Sequence, residues 1–191
     1  MNISIPHGGS LVNRILHGEE REAALQRARE LKQLPISGVA LSDFEMISCG
    51  AMSPLKGFMT REDYQPVLRD MRLKNGLVWS LPIVLPVSDE FARGLRTGEE
   101  IALVQLIPGD KPGSEHILGL MRVEDIFTYD KNQEAEQVYR TRDVAHPGVA
   151  RLQQQSGVYL GGEIRCLNRP AGLDFAEFRR EPAATRQAFQ D

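Results

Sequence analysis

Cysteine is nearly absent from these 191 residues: Cys49 and Cys166 stand alone, with no C-x-x-C spacing. That excludes a disulfide framework and a cysteine-based zinc site, and it points to a reducing compartment. Each cysteine sits among apolar or small neighbours and is expected to act as a small buried hydrophobe. Long apolar runs are lacking too, since no stretch approaches the ~20 residues that a membrane span requires. The opening MNISIPHGGS has no basic region followed by an apolar run, so it does not read as a signal peptide, and the Asn2-Ile3-Ser4 sequon carries no weight without secretion. Charge of one sign is not in excess: 26 acidic residues stand against 23 basic ones, for a net charge of −3. Such a balance offers no bulk attraction for nucleic acid or an anionic membrane. Aromatic residues make up 6% of the chain, with one Trp, and the basic, aromatic-studded sheet of single-strand binders is missing. The expectation is a cytoplasmic soluble domain with no nucleic-acid partner and no membrane partner.

Catalytic signatures are lacking as well. There is no G-x-x-x-x-G-K-[ST], no G-x-G-x-x-G, no G-x-S-x-G and no H-E-x-x-H. His7, His17, His116 and His146 are scattered, none with a second ligand at metal-binding spacing. From these patterns no catalytic, cofactor-binding or metal-binding residue is assigned.

What is present is an ordinary globular composition, 41% hydrophobic and 26% charged. A chain of this size hides roughly 70% of its unfolded surface, enough for a core without metals or cross-links. Helical spacing of Ala24, Leu25, Ala28 and Leu31 predicts a helix over 19–33, ended by Pro35. A second helix is expected from Ser42, with Ser42 and Glu45 as a capping box and Gly50 closing it. A third begins at Thr60, with Asp63 at the capping position and Tyr64, Val67 and Leu68 on one face. Residues 77–87 alternate like a strand, but Pro82 and Pro86 remove ladder donors, so this strand lies at an edge or is interrupted. The nearly all-apolar run 101–107 reads as a strand covered on both faces. Beyond the polar turn 108–115, alternation resumes over 116–129, so a hairpin is expected. Helices are expected over 132–141 and 147–155, and a last strand pair over 157–168, where Gly161-Gly162 marks a bulge or a close approach. A helix begins in the polar tail at 182–190. Strands and short helices that do not strictly alternate argue for an α+β fold.

Three short segments could carry chemistry. Pro6-His7-Gly8-Gly9 is either an anion-cradling turn or a tight turn packed on the domain, and packing is the expectation. Phe58 and Met59, after Ala51–Gly57, are expected to pin a loop to the core rather than line a pocket. Asp143 and His146 form no catalytic dyad without a nucleophile, so His146 is expected to cap the helix that Pro147 opens.

Taken in order, these segments resemble the ATP sulfurylase (sulfate adenylyltransferase) family. Residues 6–14, Pro6-His7-Gly8-Gly9-Ser10-Leu11-Val12-Asn13-Arg14, resemble that family's P-H-G-G-x-L-x-x-R opening. Leu41-Ser42-Asp43, Glu45-Met46-Ile47 and Gly50-Ala51-Met52-Ser53-Pro54-Leu55-Lys56-Gly57-Phe58-Met59 resemble its G-A-F-S-P-L-x-G-F-M region, with Met52 where the family often has Phe. Leu81–Leu85, His146-Pro147-Gly148-Val149, Tyr159-Leu160-Gly161-Gly162 and Glu181–Arg186 follow in the family's order.

The resemblance implies a PUA-like N-terminal domain over 1–170, a mixed, mostly antiparallel β-barrel with short peripheral helices. Residues 171–191 would form a linker and first helix leading into a catalytic domain. The family makes adenosine 5′-phosphosulfate and pyrophosphate from ATP and sulfate, and Mg-ATP is expected for the full-length enzyme, with no cofactor in this chain. Its Q-x-R-N-P-x-H-x-x-H and G-R-D-H-A-G motifs do not occur here. The reading is therefore a fragment that lacks the ATP and sulfate site. Its partners would be the missing catalytic domain and, in the full enzyme, further copies in a homo-oligomer. Should activity nevertheless reside here, His7, Arg14 and His146 are the first residues to test. A PUA-like nucleic-acid-binding module and a stand-alone assembly module are the alternatives.

Overall fold

The computed structural model describes residues 3–107, 109 and 115–190. The chain divides into two compact units, each assembled from separated segments. The first comprises Met1–Gly57, Glu100–Arg122 and Glu163–Asp191; the second comprises Phe58–Glu99 and Val123–Gly162.

In the first unit, α1 spans Gly18–Ala28 and buries Ala24 and Ala28, with Glu19 and Glu20 in its positive first turn. These alanines pack on Ala102, Leu120 and Leu167, flanked by Leu16, Leu25 and Leu31. The helix stops short of the expected 19–33. Gln33–Pro35 instead form strand β1, pairing in parallel with Ala102–Val104 of β4 (Glu100–Gln105). Leu and Gln are good helix formers, but propensity is worth only tenths of a kcal/mol per residue, and the ladder bonds to β4 outweigh it. Helix α2 spans Gly38–Ser48 with Ser37 at its N-cap, so it begins before the expected Ser42. Ser42 lies inside the helix and does not form the start of a capping box. Gly50 does close the segment, at φ +84° with its N–H donated to Ile47.

Strand β4 is buried throughout Ile101–Val104, as expected for a strand covered on both faces. It pairs antiparallel with β5 (His116–Arg122), so the hairpin forms as expected, while most of its turn, 108 and 110–114, lies outside the described residues. β5 pairs antiparallel in turn with the Glu163–Cys166 part of β7 (Val158–Cys166). Gly119 is required at this pairing, because a Cβ there would fall 2.3 Å from the Arg165 carbonyl oxygen. Cys166 is buried and Cys49 only half-buried; both are free thiols. A short 3₁₀ turn at Ala176–Phe178 and helix α7 (Pro182–Ala188) complete the unit.

The second unit begins with the end of the two-residue strand β2 (Gly57–Phe58), then α3 (Arg61–Asp70), which buries Tyr64, Val67 and Leu68 as expected. Thr60 occupies the N-cap, but its side chain makes no cap bond. Asp63 instead accepts the Lys74 N–H at 2.8 Å. Only β3 (Leu85–Val87) survives of the strand expected over 77–87, which is interrupted. Upstream, the Leu73 N–H donates to Leu77 and the Trp79 N–H to Met71, which closes a turn and leaves Val78 and Leu81 exposed. The short helix α4 (Asp89–Arg93) is capped by Ser88, whose hydroxyl accepts the Phe91 N–H at 3.1 Å.

Strand β6 (Asp125–Thr128) and β3 both pair antiparallel with the Val158–Gly162 part of β7. A single nine-residue strand thus replaces the strand pair expected over 157–168. Gly161 marks a close approach rather than a break: a Cβ there would lie 2.6 Å from the Met59 carbonyl oxygen. Helices α5 (Lys131–Tyr139) and α6 (Pro147–Gln154) match their expected spans. They pack through Ala135, Val149 and Leu152, and Gly148 lies against the Tyr139 ring.

The β1–β4 pairing and an isolated Ile15–Cys166 bridge are parallel, while β3–β7, β4–β5, β5–β7 and β6–β7 are antiparallel, and with the short helices around them this gives the expected mixed, mostly antiparallel α+β fold. Among the described residues no helix is long and apolar enough to cross a membrane.

Candidate functional site

Two of the segments that carry the family resemblance, 6–14 and 50–57, meet inside the first unit. Pro6–Gly9 form a tight turn, closed by the Gly9 N–H donating to the Pro6 carbonyl at 2.8 Å. Gly8, at φ +78°, sits so close to Pro54 that a Cβ would fall 2.8 Å from the proline Cβ. Ser53 ties the same two segments: its hydroxyl donates to the Gly50 carbonyl at 2.6 Å and accepts the Val12 N–H at 2.8 Å. Gly8 therefore serves close packing, as expected, while Gly9 serves the turn through its φ of +98°.

Arg14 follows the turn. Its Nε donates to the Ile164 carbonyl at 2.8 Å, and its terminal guanidinium pairs with Glu163 at 2.9 Å. Lys56 reaches the other oxygen of Glu163 at 3.2 Å. One carboxylate is thus shared by two cations from the two motif segments. Its acceptor sites are engaged from both sides, so Glu163 does not present a free general base. Phe58 and Met59 are buried and pin their loop to the core.

Asp143 and His146 lie in the second unit, where the His146 Nδ1 accepts the Gly148 N–H at 3.2 Å. The Asp143 carboxylate accepts the Ala145 N–H at 2.9 Å. His146 is a helix cap, as expected, and no dyad forms. The structure brings Arg14 to Lys56 and Glu163; it does not bring His146 to either Arg14 or His7 within one unit. Among the described residues there is no group of three or more His, Cys, Asp or Glu able to hold a metal ion.

Sequence reasoning missed a buried ionisable cluster in the second unit. The Glu134 carboxylate accepts the Tyr64 hydroxyl at 2.7 Å and the Tyr159 hydroxyl at 3.1 Å, with only 6% of the residue exposed. Tyr129 stacks on Tyr159 at 3.7 Å between ring centroids. Burial raises the Glu134 carboxyl above its ordinary range, while the two tyrosine hydroxyls pull it back. Burial also pushes the Tyr129 hydroxyl up to about 12, and raises Tyr64 and Tyr159 further, with the Glu134 charge adding to the effect. In the first unit, burial pushes the Cys166 thiol up to about 11, which keeps it protonated and unreactive at neutral pH. The only local signal of the cluster was Tyr64 on the apolar face of its helix.

The first unit also carries bare apolar side chains. Phe175, Phe178 and Phe189 are 73%, 74% and 65% exposed, and Ile5 is 78% exposed. Their segment is tied down: Arg179 pairs with Glu45 at 3.0 Å, and Arg186 bonds the Ser4 carbonyl.

Residues 4–169 match the family model for a PUA-like domain, and the chain belongs to that family. Among curated proteins it is similar to the sulfate adenylyltransferase of Symbiobacterium thermophilum, 49% identical over 184 residues, covering 96% of this chain and 45% of that protein. It is likewise similar to the sulfate adenylyltransferase of a Synechococcus species, 47% identical over 186 residues, covering 97% of this chain and 46% of that protein. Among solved structures, a hexameric APS kinase from Thiobacillus denitrificans has a TM-score of 0.72 at 28% identity, covering 97% of this chain and 31% of that one. The chain spans less than half the length of these relatives.

Proposed function

We propose that this chain is the PUA-like N-terminal domain of a sulfate adenylyltransferase, which joins ATP and sulfate into adenosine 5′-phosphosulfate and releases pyrophosphate. The observation that carries this reading is near-complete coverage of the chain at 49% identity to an enzyme of that name. Residues 1–170 form the domain in this reading, and 171–191 lead towards the catalytic part. The chemistry falls to residues in the share of the relatives that this chain does not span, with Mg-ATP bound there. The first unit's motif segments support this division of labour, because Arg14, Lys56 and Glu163 satisfy one another and Gly8 packs on Pro54.

The role left to this domain is assembly. Phe175, Phe178 and Phe189 offer apolar surface on a segment held by Arg179 and Arg186, as a docking face for the catalytic domain requires. In the full enzyme, further copies would make a homo-oligomer, as in the hexameric kinase of similar structure. The reading places the enzyme in the cytoplasm, in sulfate assimilation or sulfur oxidation.

The test is a chimera. This chain replaces the matching part of the Symbiobacterium enzyme, and pyrophosphate release from MgATP is measured with and without sulfate. Sulfate-dependent release from the chimera, and none from the 191-residue chain alone, is the expected result. A folded chimera without release, or turnover by the isolated chain, would overturn the proposal.

A further inference from the structure

Helix α3 sorts its charges by face. The Glu62 carboxylate takes the Lys74 ammonium at 2.8 Å and Asp63 accepts the Lys74 N–H, so the acidic side chains of its first turn are committed to Lys74. Arg61, Gln65 and Arg69 recur at i, i+4 and i+8 and line a groove of about 290 Å³. Gln133 and Gln137, one turn apart on α5, also line it. Its base is made by Tyr64, Phe127 and Tyr129.

The Arg61 guanidinium lies 5.4 Å from the centre of the Phe127 ring and has no carboxylate partner among the described residues. Arg69 is paired with Asp70 at 2.7 Å, but both side chains are largely exposed, so the pair competes weakly with a ligand. Besides Asp70, three carboxylates stand close to the residues of the groove. Asp130, in its lining, is engaged by the Asn132 and Gln133 N–H groups at 2.8 and 3.1 Å. Glu134 lies behind Tyr64, and burial favours its neutral form. Asp125 already occupies the positive end of α3, where its carboxylate accepts the Arg61 backbone N–H at 2.8 Å, so the attraction for an anion rests on the two guanidinium groups.

Planar guanidinium groups bind oxyanions in bidentate fashion, and glutamine amides both donate and accept beside them. The volume lies at the lower edge of the roughly 300–1,000 Å³ usual for small-molecule sites, which fits an organic ligand better than a bare ion. We propose that this groove binds a small organic oxyanion, a polycarboxylate or a phosphate ester. Arg61 is its main ionic contact, Arg69 the second, and the three glutamines bond its neutral polar groups. This site is separate from the motif cluster of the first unit and does not depend on the adenylyltransferase reading.

The test titrates citrate and, separately, glucose 6-phosphate into the 191-residue chain at constant ionic strength, followed by backbone-amide NMR. Saturable shifts confined to residues 61–69 and 128–137 are expected with at least one probe, and the probe that binds tells a polycarboxylate from a phosphate ester. Arg61→Gln, exposed and checked for fold by circular dichroism, should weaken binding at least about tenfold, the loss of one charge-assisted contact. Arg93→Gln, on α4, should leave binding unchanged. The proposal is overturned by non-saturating shifts with both probes, by undiminished binding in Arg61→Gln, or by equal weakening in the two variants.

Discussion

The two units reach stability by different chemistry. In the first, charged side chains from distant segments clamp backbone and carboxylate: Arg14 on Ile164 and Glu163, Arg27 on Glu100, Arg21 on the Leu167 carbonyl. These contacts are half in water, where an ion pair contributes about 0–1 kcal/mol. In the second, Tyr64, Tyr159 and the Glu134 carboxylate are buried together, with the half-buried Tyr129 stacked on Tyr159, and in that interior every unmet bond is costly. The difference teaches where each unit tolerates change. The first should lose stability gradually as its clamps are removed; the second should fail at single positions.

Glycine packing is the exception, since both units depend on it, and it sets the largest expected effect. Gly119→Ala and Gly161→Ala each drive a Cβ into backbone, at 2.3 Å from Arg165 and 2.5 Å from Thr60. Each should cost about 3 kcal/mol or prevent folding, read by urea unfolding. A loss below 1 kcal/mol in either would mean that its strand shifts freely.

Next comes the interior carboxylate. Glu134→Leu leaves the Tyr64 hydroxyl without its acceptor and the Tyr159 hydroxyl with only Gln155, and should cost about 2–3 kcal/mol, whereas Glu134→Gln keeps an acceptor and should cost far less. The pH dependence sharpens the contrast. Because folding raises the Glu134 pKa, its contribution to stability is fully present below the ordinary carboxyl value and is lost as pH rises through the folded value. The stability of the native chain relative to Glu134→Gln should therefore fall as the pH rises above the ordinary carboxyl value. A difference that grows with pH would show that the tyrosine bonds outweigh burial.

The first unit's clamps come last. Arg14→Ala should cost about 1 kcal/mol, because it frees both the Ile164 carbonyl and Glu163. Lys56→Ala, more exposed, should stay within about 0.5 kcal/mol. Equal losses from these two would break the distinction between a half-buried clamp and a surface pair.

Local pattern in the sequence reached as far as local forces do. The face of α3, the cap at His146 and the closing role of Gly50 each depend on neighbours within a few positions, and each was legible. Helix α1 ends early because Gln33–Pro35 pair with residues about seventy positions away, a partner that no local window contains. Glu134 was hidden for the same reason: on its own helix it reads as one more surface acid, and Tyr64 lies 70 residues upstream. The Arg61-Gln65-Arg69 ladder was visible as spacing, but only the opposing Gln133 and Gln137 make it a groove.

The bond from Arg14 to Ile164 spans 150 residues of chain, with the entire second unit between its two ends. On a ribosome adding roughly 5–20 residues per second, the N-terminal motif waits several seconds before its acceptor emerges. The second unit's segments are complete by Gly162, so it can close first. Birth order thus inverts sequence order: Arg14, made before any residue of the second unit, is fixed only after all of them have emerged.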